Sequence, residues 1–108
     1  MKTTEANELL DKAMADIAKN GINAATQIPL IKEAREYALK EEDPLVTRAL
    51  RLAWQHVEEN KGFLLAYLEE SESQDENYEY FLTLCRKSEN EHNRNDLREM
   101  TNLLQQMA

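Results

Sequence analysis

The sequence predicts an all-α fold, and three of its features point that way. Glycine and proline, whose turns separate the strands of β-rich chains, occur only twice each, and neither type follows Gly62. The abundant residue types are Glu, Leu, Ala, Asn, Lys and Gln, and all of these except Asn favour helices. Apolar residues recur at intervals of three and four, as on one face of a helix. We therefore expect one domain, residues 1–108, folded as an antiparallel up-down four-helix bundle with a longer C-terminal helical hairpin.

Two helices are predicted before residue 43. The first covers Thr4–Lys19 and ends at Asn20-Gly21, because glycine adopts the left-handed conformation of a helix C-terminus without steric cost. The start of the second helix has two interpretations. Capping by Thr26 places Pro29 in the first turn, where its missing N–H costs little, whereas a start at Asn23 requires a kink near Pro29.

Asp43-Pro44 marks the start of the third predicted helix, with aspartate as the cap and proline in the first helical position. This helix is expected to run to about Glu70. Its apolar residues cover a wide arc, from Val46 and Leu50 round to Leu52. A helix with so wide an apolar face packs against more than one neighbour, so we expect it at the centre of the fold.

The last predicted helix starts near Gln74, because Ser73 and Glu76 have the spacing of a capping box. Beyond Cys85 the chain enters a stretch of eleven residues that contains no apolar side chain. Either the helix continues through this stretch, or it breaks near residues 89–95 and restarts with Asp96 as its cap. The second alternative gives five helices.

Unequal helix lengths lead to a predicted interface. The third and fourth helices, as predicted, would extend roughly 15 to 20 Å beyond the first two at the usual rise of 1.5 Å per residue. The apolar side chains on this extension form too large a patch to face water, which predicts a homodimer and leaves room for docking of another protein. The predicted interface residues are Phe63, Leu64, Tyr67, Leu68, Tyr78, Tyr80 and Phe81.

Three residues form a candidate metal site. If the last hairpin turns near Ser73, His56 faces Glu89 and His92 across it. The Glu-x-x-His spacing of Glu89 and His92 is similar to the ligand spacing of ferritin-like bundles. At the matching level the first two helices offer Ala13, Met14 and Ile31 in place of the carboxylates that such bundles add, so a dimer would have to complete the site. The alternative interpretation is a polar layer or solvated patch without metal.

Two further side chains have more than one interpretation. Trp54 lies at the edge of the apolar arc of the third helix, which suits either half-buried packing or an anchor for a partner. Cys85 lies on the apolar stripe of its helix, where a free cysteine usually behaves as a small hydrophobic residue. The alternative is a catalytic thiol activated by its neighbours Arg86 and Lys87, although neither histidine is placed as an obvious base.

The charge balance excludes several classes of partner. Lys and Arg total 13 against 21 Asp and Glu, so the formal net charge is −8. This charge repels phosphate backbones and no basic cluster is evident along the sequence, so nucleic-acid binding is not expected. No apolar run approaches the roughly 18 residues that cross a bilayer, so no membrane association is expected either. The single Cys85 cannot form an internal disulfide, which favours the cytoplasm.

Motifs for catalysis are lacking. The sequence contains no Gly-rich phosphate loop, paired-cysteine metal motif or nucleophile elbow. We therefore predict neither enzymatic activity nor a cofactor. The leading hypothesis is a small acidic helical protein that acts through protein–protein interaction and self-associates, with a metal-binding bundle as the alternative.

Overall fold

The computed structural model describes residues 1–108 and contains five α-helices and no β-strand, which confirms the all-α prediction. The buried side chains form one hydrophobic cluster, to which every helix contributes. None of the helices combines the length and apolarity needed to cross a bilayer. The helices are α1 (Thr4–Asn20), α2 (Ala24–Lys40), α3 (Pro44–Asn60), α4 (Gln74–Arg86) and α5 (Glu91–Met107).

Helix α2 begins at Ala24, so the alternative start near Asn23 is the one that forms. The side chain of Asn23 caps the helix by accepting a hydrogen bond from the Ala25 N–H at 3.0 Å. Buried Gln27 then donates to the Ala13 carbonyl of α1 at 3.0 Å, which ties the first turns of α2 to α1. Pro29 therefore lies inside the helix rather than in its first turn, on an exposed side.

Helix α3 ends at Asn60, ten residues before the predicted end near Glu70. Lys61 adopts a left-handed conformation with φ 55°, and residues 61–73 form a loop. Gly62 lies so close to the Gln74 side chain that a Cβ atom would collide with Gln74 Oε1. The prediction of a long helical hairpin is therefore wrong, because the chain leaves the helix where the side chain of Gln74 packs on its backbone.

Side chains from α3 and α4 hold the loop of residues 61–73 in place. Oδ1 of fully buried Asn77 accepts hydrogen bonds from the N–H groups of Tyr67 and Leu68, both at 2.8 Å. Its Nδ2 donates to the carbonyls of Ser71 and Ser73 at 3.1 and 2.9 Å. Asn77 thus satisfies backbone groups that a continued helix would have paired with one another.

His56 and Gln74 hold the first part of the same loop. Nε2 of His56 accepts from the Leu64 N–H at 3.0 Å, and Oε1 of Gln74 accepts from the Phe63 N–H at 3.1 Å. The ring of Phe63 then packs into the core, 5.1 Å from Tyr78 and 5.7 Å from Phe81 between centroids. The loop is therefore part of the hydrophobic core and not an extension beyond it.

The chain turns again at residues 87–90, between α4 and α5. Asn90 caps α5 by accepting from the Asn93 N–H at 3.1 Å. Arg94 in the first turn of α5 donates to both carboxylate oxygens of Asp43 at 2.9 and 3.1 Å, which joins α5 to the start of α3. The five-helix alternative forms, with Asn90 as the cap instead of Asp96.

Candidate functional site

A groove lies where α2 ends and α3 begins. It encloses about 380 Å³ and includes the exposed side of the turn between the two helices. Three of its lining residues are arginines, and one is an exposed leucine. We call it the arginine groove; its lining residues are Arg35, Leu39, Glu42, Asp43, Pro44, Thr47, Arg48 and Arg51.

None of the three groove arginines is paired with a carboxylate. Arg48 Nη2 donates to Asn102 Oδ1 at 2.5 Å, and Arg51 Nη1 donates to Gln55 Oε1 at 3.5 Å, so both acceptors are neutral amides. By contrast, Arg86 and Arg94 each bond both oxygens of an aspartate, Asp11 and Asp43. In a chain of net charge −8, the groove is thus a local concentration of uncompensated positive charge.

Two donor atoms of the groove have no acceptor. The Nε atoms of Arg35 and Arg48 are buried and make no hydrogen bond. A buried N–H without a partner costs free energy, and a guanidinium presents its donors in a fork that matches a carboxylate. Because these Nε atoms are buried, an anion in the groove would meet the terminal Nη groups of the arginines, whose fork suits two carboxylate oxygens.

The acidic residues of the groove differ in their availability. Asp43 is occupied, because it caps α3 through the Val46 N–H at 3.2 Å and binds Arg94. Burial alone would raise the pKa of Asp43, but hydrogen bonds from Arg94 and from the backbone outweigh it and hold that pKa below its usual range. Glu42 is exposed on the turn. One free carboxylate therefore opposes three arginines.

Apolar and aromatic groups adjoin the arginines. Leu39 is 47% exposed, one of four large hydrophobic residues on the surface. Trp54 is half-buried, and the Lys32 ammonium lies 4.3 Å from its ring centroid in a cation–π contact. Lys32 lies one turn from Arg35 on α2, and Trp54 lies one turn from Arg51 on α3. The Lys32 ammonium therefore extends the positive surface of the arginine groove along α2, next to the Trp54 ring.

This groove was not predicted from the sequence. No basic cluster was evident there, because Arg35 is separated from Arg48 and Arg51 along the chain. The information was present in the turn at Glu42, since Arg35 precedes it by seven residues and Arg48 follows it by six. Consecutive helices joined by a short turn bring such positions together, and the same reasoning applied to this turn would have found the groove.

The seven predicted interface residues do not form a common surface. Phe63, Tyr78 and Phe81 are fully buried in the core of their own chain, so they cannot bind a partner without unfolding. Leu64 is 49% exposed, and it is the one member that presents a large apolar surface. The remaining three, Tyr67, Leu68 and Tyr80, are half-buried.

Tyr67 and Tyr80 are used in a polar cluster that joins the loop and α4 to α5. Their rings stack at 6.3 Å, and their hydroxyls donate to Glu99 and Asp96, each at 2.5 Å. Burial, together with the bond to Asp96, raises the pKa of Tyr80 to about 12. These tyrosines therefore hold the chain's own elements together as neutral hydrogen-bond donors.

The three predicted metal ligands do not meet. His56 is buried and already accepts the Leu64 N–H, Glu89 lies 3.3 Å from the N-terminal ammonium of Met1, and the side chain of His92 is 83% exposed. No group of three or more His, Cys, Asp or Glu side chains is arranged to hold a metal ion. The prediction failed because it assumed an unbroken hairpin, whereas the chain turns between residues 87 and 90.

Cys85 is fully buried, in agreement with its place on the apolar stripe. Burial raises the pKa of its thiol to about 12, although the nearby N-terminal ammonium opposes the shift. A thiol in this environment stays protonated and packs as a hydrophobic side chain.

Comparison of the chain with known protein families, with curated proteins and with solved structures finds no match.

Proposed function

We propose that the protein acts through protein–protein interaction, by binding an acidic segment of a polypeptide in the arginine groove. The observation that carries this proposal is the set of three arginines that surround one groove without a carboxylate partner. Bidentate arginine–carboxylate pairs are among the stronger charge-assisted hydrogen bonds in proteins. Exposed Leu39 adds a place for an apolar side chain beside the carboxylates.

A peptide suits this groove better than a nucleic acid does. A nucleic acid carries phosphate charges far beyond the groove, and those would meet a surface of net charge −8. A short acidic segment has its charge confined to a few residues. The attraction of the three arginines therefore acts on the whole ligand.

The direct test is titration with a capped Glu-Glu-Leu-Glu-Glu peptide, followed by NMR of the backbone amides and arginine Nε–H groups. We expect resonances of Arg35, Arg48 and Arg51 to shift, with a dissociation constant of about 0.1 to 1 mM for so short a peptide. A peptide in which glutamines replace the glutamates should not bind.

Two charge-reversed variants provide the controls. The double variant R35E/R51E removes two groove cations, neither of which donates to a carboxylate in the fold, and it should abolish binding. The variant K12E/K87E makes the same change in net charge at exposed positions outside the groove and should bind like the unaltered protein. Equal binding by R35E/R51E would exclude the proposed function.

A further inference from the structure

Residues 69–76, which we call the acidic segment, carry a concentration of negative charge. Four of its five carboxylates are exposed, and none takes part in an ion pair. Burial raises the pKa of nearby Glu79, and the charges of Asp75 and Glu76 raise it further. The carboxylates of the segment are Glu69, Glu70, Glu72, Asp75 and Glu76.

The acidic segment is fixed at the end of the molecule away from the arginine groove. Gln74 binds the Phe63 N–H just beyond the C-terminus of α3, and Asn77 holds Ser71 and Ser73. Arg48 lies twelve residues before the last residue of α3, which corresponds to about 18 Å along the helix axis. The segment therefore cannot reach the groove of its own chain.

We propose that the arginine groove receives the acidic segment of a second copy of this chain. The inference rests on the proposed function, that the groove binds acidic polypeptide. The two surfaces have opposite charge, and neither the groove arginines nor the carboxylates of the segment form an ion pair within the chain. The two surfaces lie towards opposite ends of α3, so the dimer we propose is an antiparallel pair about a two-fold axis, in which each groove takes the segment of the other copy.

Long-range repulsion limits the strength of this dimer. Each copy carries a net charge of −8, so only the local pairing of arginines with carboxylates favours association. We expect a dissociation constant on the order of 0.1 mM at low salt. Sedimentation velocity of the full chain over a range up to about 0.5 mM should therefore show a concentration-dependent shift from monomer to dimer.

Charge exchange between the two surfaces tests which residues form the contact. R35E/R51E gives a negative groove opposite a negative segment. E69R/E70R/E72R leaves two carboxylates against three arginines in the segment, so a positive segment meets a positive groove. Each variant alone should therefore be monomeric. In an equimolar mixture both contacts pair opposite charges again, so a heterodimer should form. K12E/K87E should dimerise with no more than a severalfold loss of affinity, because its groove and segment are unchanged.

The outcomes separate this inference from the proposed function. Restored association in the mixture, with monomers in each separate sample, supports the second copy as occupant. A protein that stays monomeric at about 0.5 mM, or a mixture that does not associate, overturns it. If the acidic peptide still binds the groove in that case, the groove recognises a different protein and the proposed function stands; if the peptide does not bind, both fail.

Discussion

His56 shows how a single residue links protonation to the order of a loop. Its Nε2 must be unprotonated to accept the Leu64 N–H, and its ring packs edge-on against Phe63 at 5.5 Å. Burial lowers the pKa of His56, and the charge of Glu59 opposes this only in part. The folded protein therefore favours the neutral imidazole.

This lowered pKa gives stability a defined pH dependence. At pH values between the folded and the unfolded pKa of His56, the unfolded chain binds more protons than the folded chain does. The free energy of unfolding therefore has its full value above a pH of about 6.5 and decreases as the pH falls below it. We expect a loss of about 1 kcal/mol by pH 5, the worth of one hydrogen bond. Urea denaturation at pH values from about 5 to 7.5 measures it.

Substitution of His56 separates this effect from other titrations. His56→Gln retains a hydrogen-bond acceptor but does not titrate, so its free energy of unfolding should be lower overall and nearly constant across the same pH range. His92→Gln should keep the pH dependence, since the His92 side chain is 83% exposed. An unchanged slope in His56→Gln would assign the pH dependence to another group.

At the scale of elements, the loop of residues 61–73 is stabilised mainly by one side chain. Asn77 bonds four backbone groups of the loop, accepting two hydrogen bonds and donating two. Backbone groups of a loop that cannot pair with each other need such partners when they are buried. The position of the acidic segment therefore depends on a residue of α4.

Asn77→Ala should destabilise the protein and release the loop. Leaving buried backbone groups unpaired costs about 1 to 3 kcal/mol for each site that water cannot reach, so we expect a total loss of about 3 kcal/mol in chemical denaturation. Cleavage by a glutamate-specific protease at Glu69 or Glu70 should become faster. Asn95→Ala, at an exposed position of α5, should change neither quantity.

Asn77→Asp gives a finer test of the same role. Aspartate can still accept from the N–H groups of Tyr67 and Leu68 but cannot donate to the carbonyls of Ser71 and Ser73. The second carboxylate oxygen would also face two carbonyl oxygens at a fully buried position, so Asn77→Asp should lose at least as much stability at neutral pH as Asn77→Ala. Protease cleavage as slow as in the unaltered protein for both variants would show that other contacts hold the loop.

The loop also explains why the sequence predicted some elements and not others. Helix starts depend on local chemistry, and the caps Asp43 and Ser73 were found where the sequence placed them. The end of α3 depends on side chains that are distant in sequence, Gln74 and Asn77, while Leu64, Tyr67 and Leu68 continue an apolar helical spacing. Local periodicity therefore favoured a helix that tertiary hydrogen bonds prevent.

The candidate sites also show the difference between what local sequence determines and what tertiary packing determines. Arg48 and Arg51 lie on one helix, and the packing of α2 on α3 brings Arg35 to them. The metal hypothesis required His56 and His92 to face each other, which depended on the course of the chain between α4 and α5. The proximity of the arginines was readable from the short turn at Glu42, whereas that of the two histidines depended on a course of the chain that the sequence left open.

At the scale of the whole molecule, the excess of carboxylates acts against the compact state. The chain carries a net charge of −8, and Arg86 and Arg94 are the only Lys or Arg residues that form ion pairs. Folding brings these like charges closer together, which lowers the free energy of unfolding at low ionic strength. Added salt screens this repulsion, and in the arginine groove it also screens the attraction between the arginines and an acidic ligand.

Salt should therefore change stability and binding in opposite directions. Raising NaCl from about 20 to 300 mM shortens the Debye length from about 20 Å to about 6 Å, so the melting temperature should rise by a few degrees while peptide affinity falls severalfold. R35E/R51E and K12E/K87E both change the net charge by −4, from −8 to −12. Both variants should gain more thermal stability from salt than the unaltered protein, but only K12E/K87E should retain salt-sensitive peptide binding. A melting temperature that does not respond to salt would show that the net charge is not limiting, and peptide binding that does not respond would show that the groove holds its ligand by apolar contact.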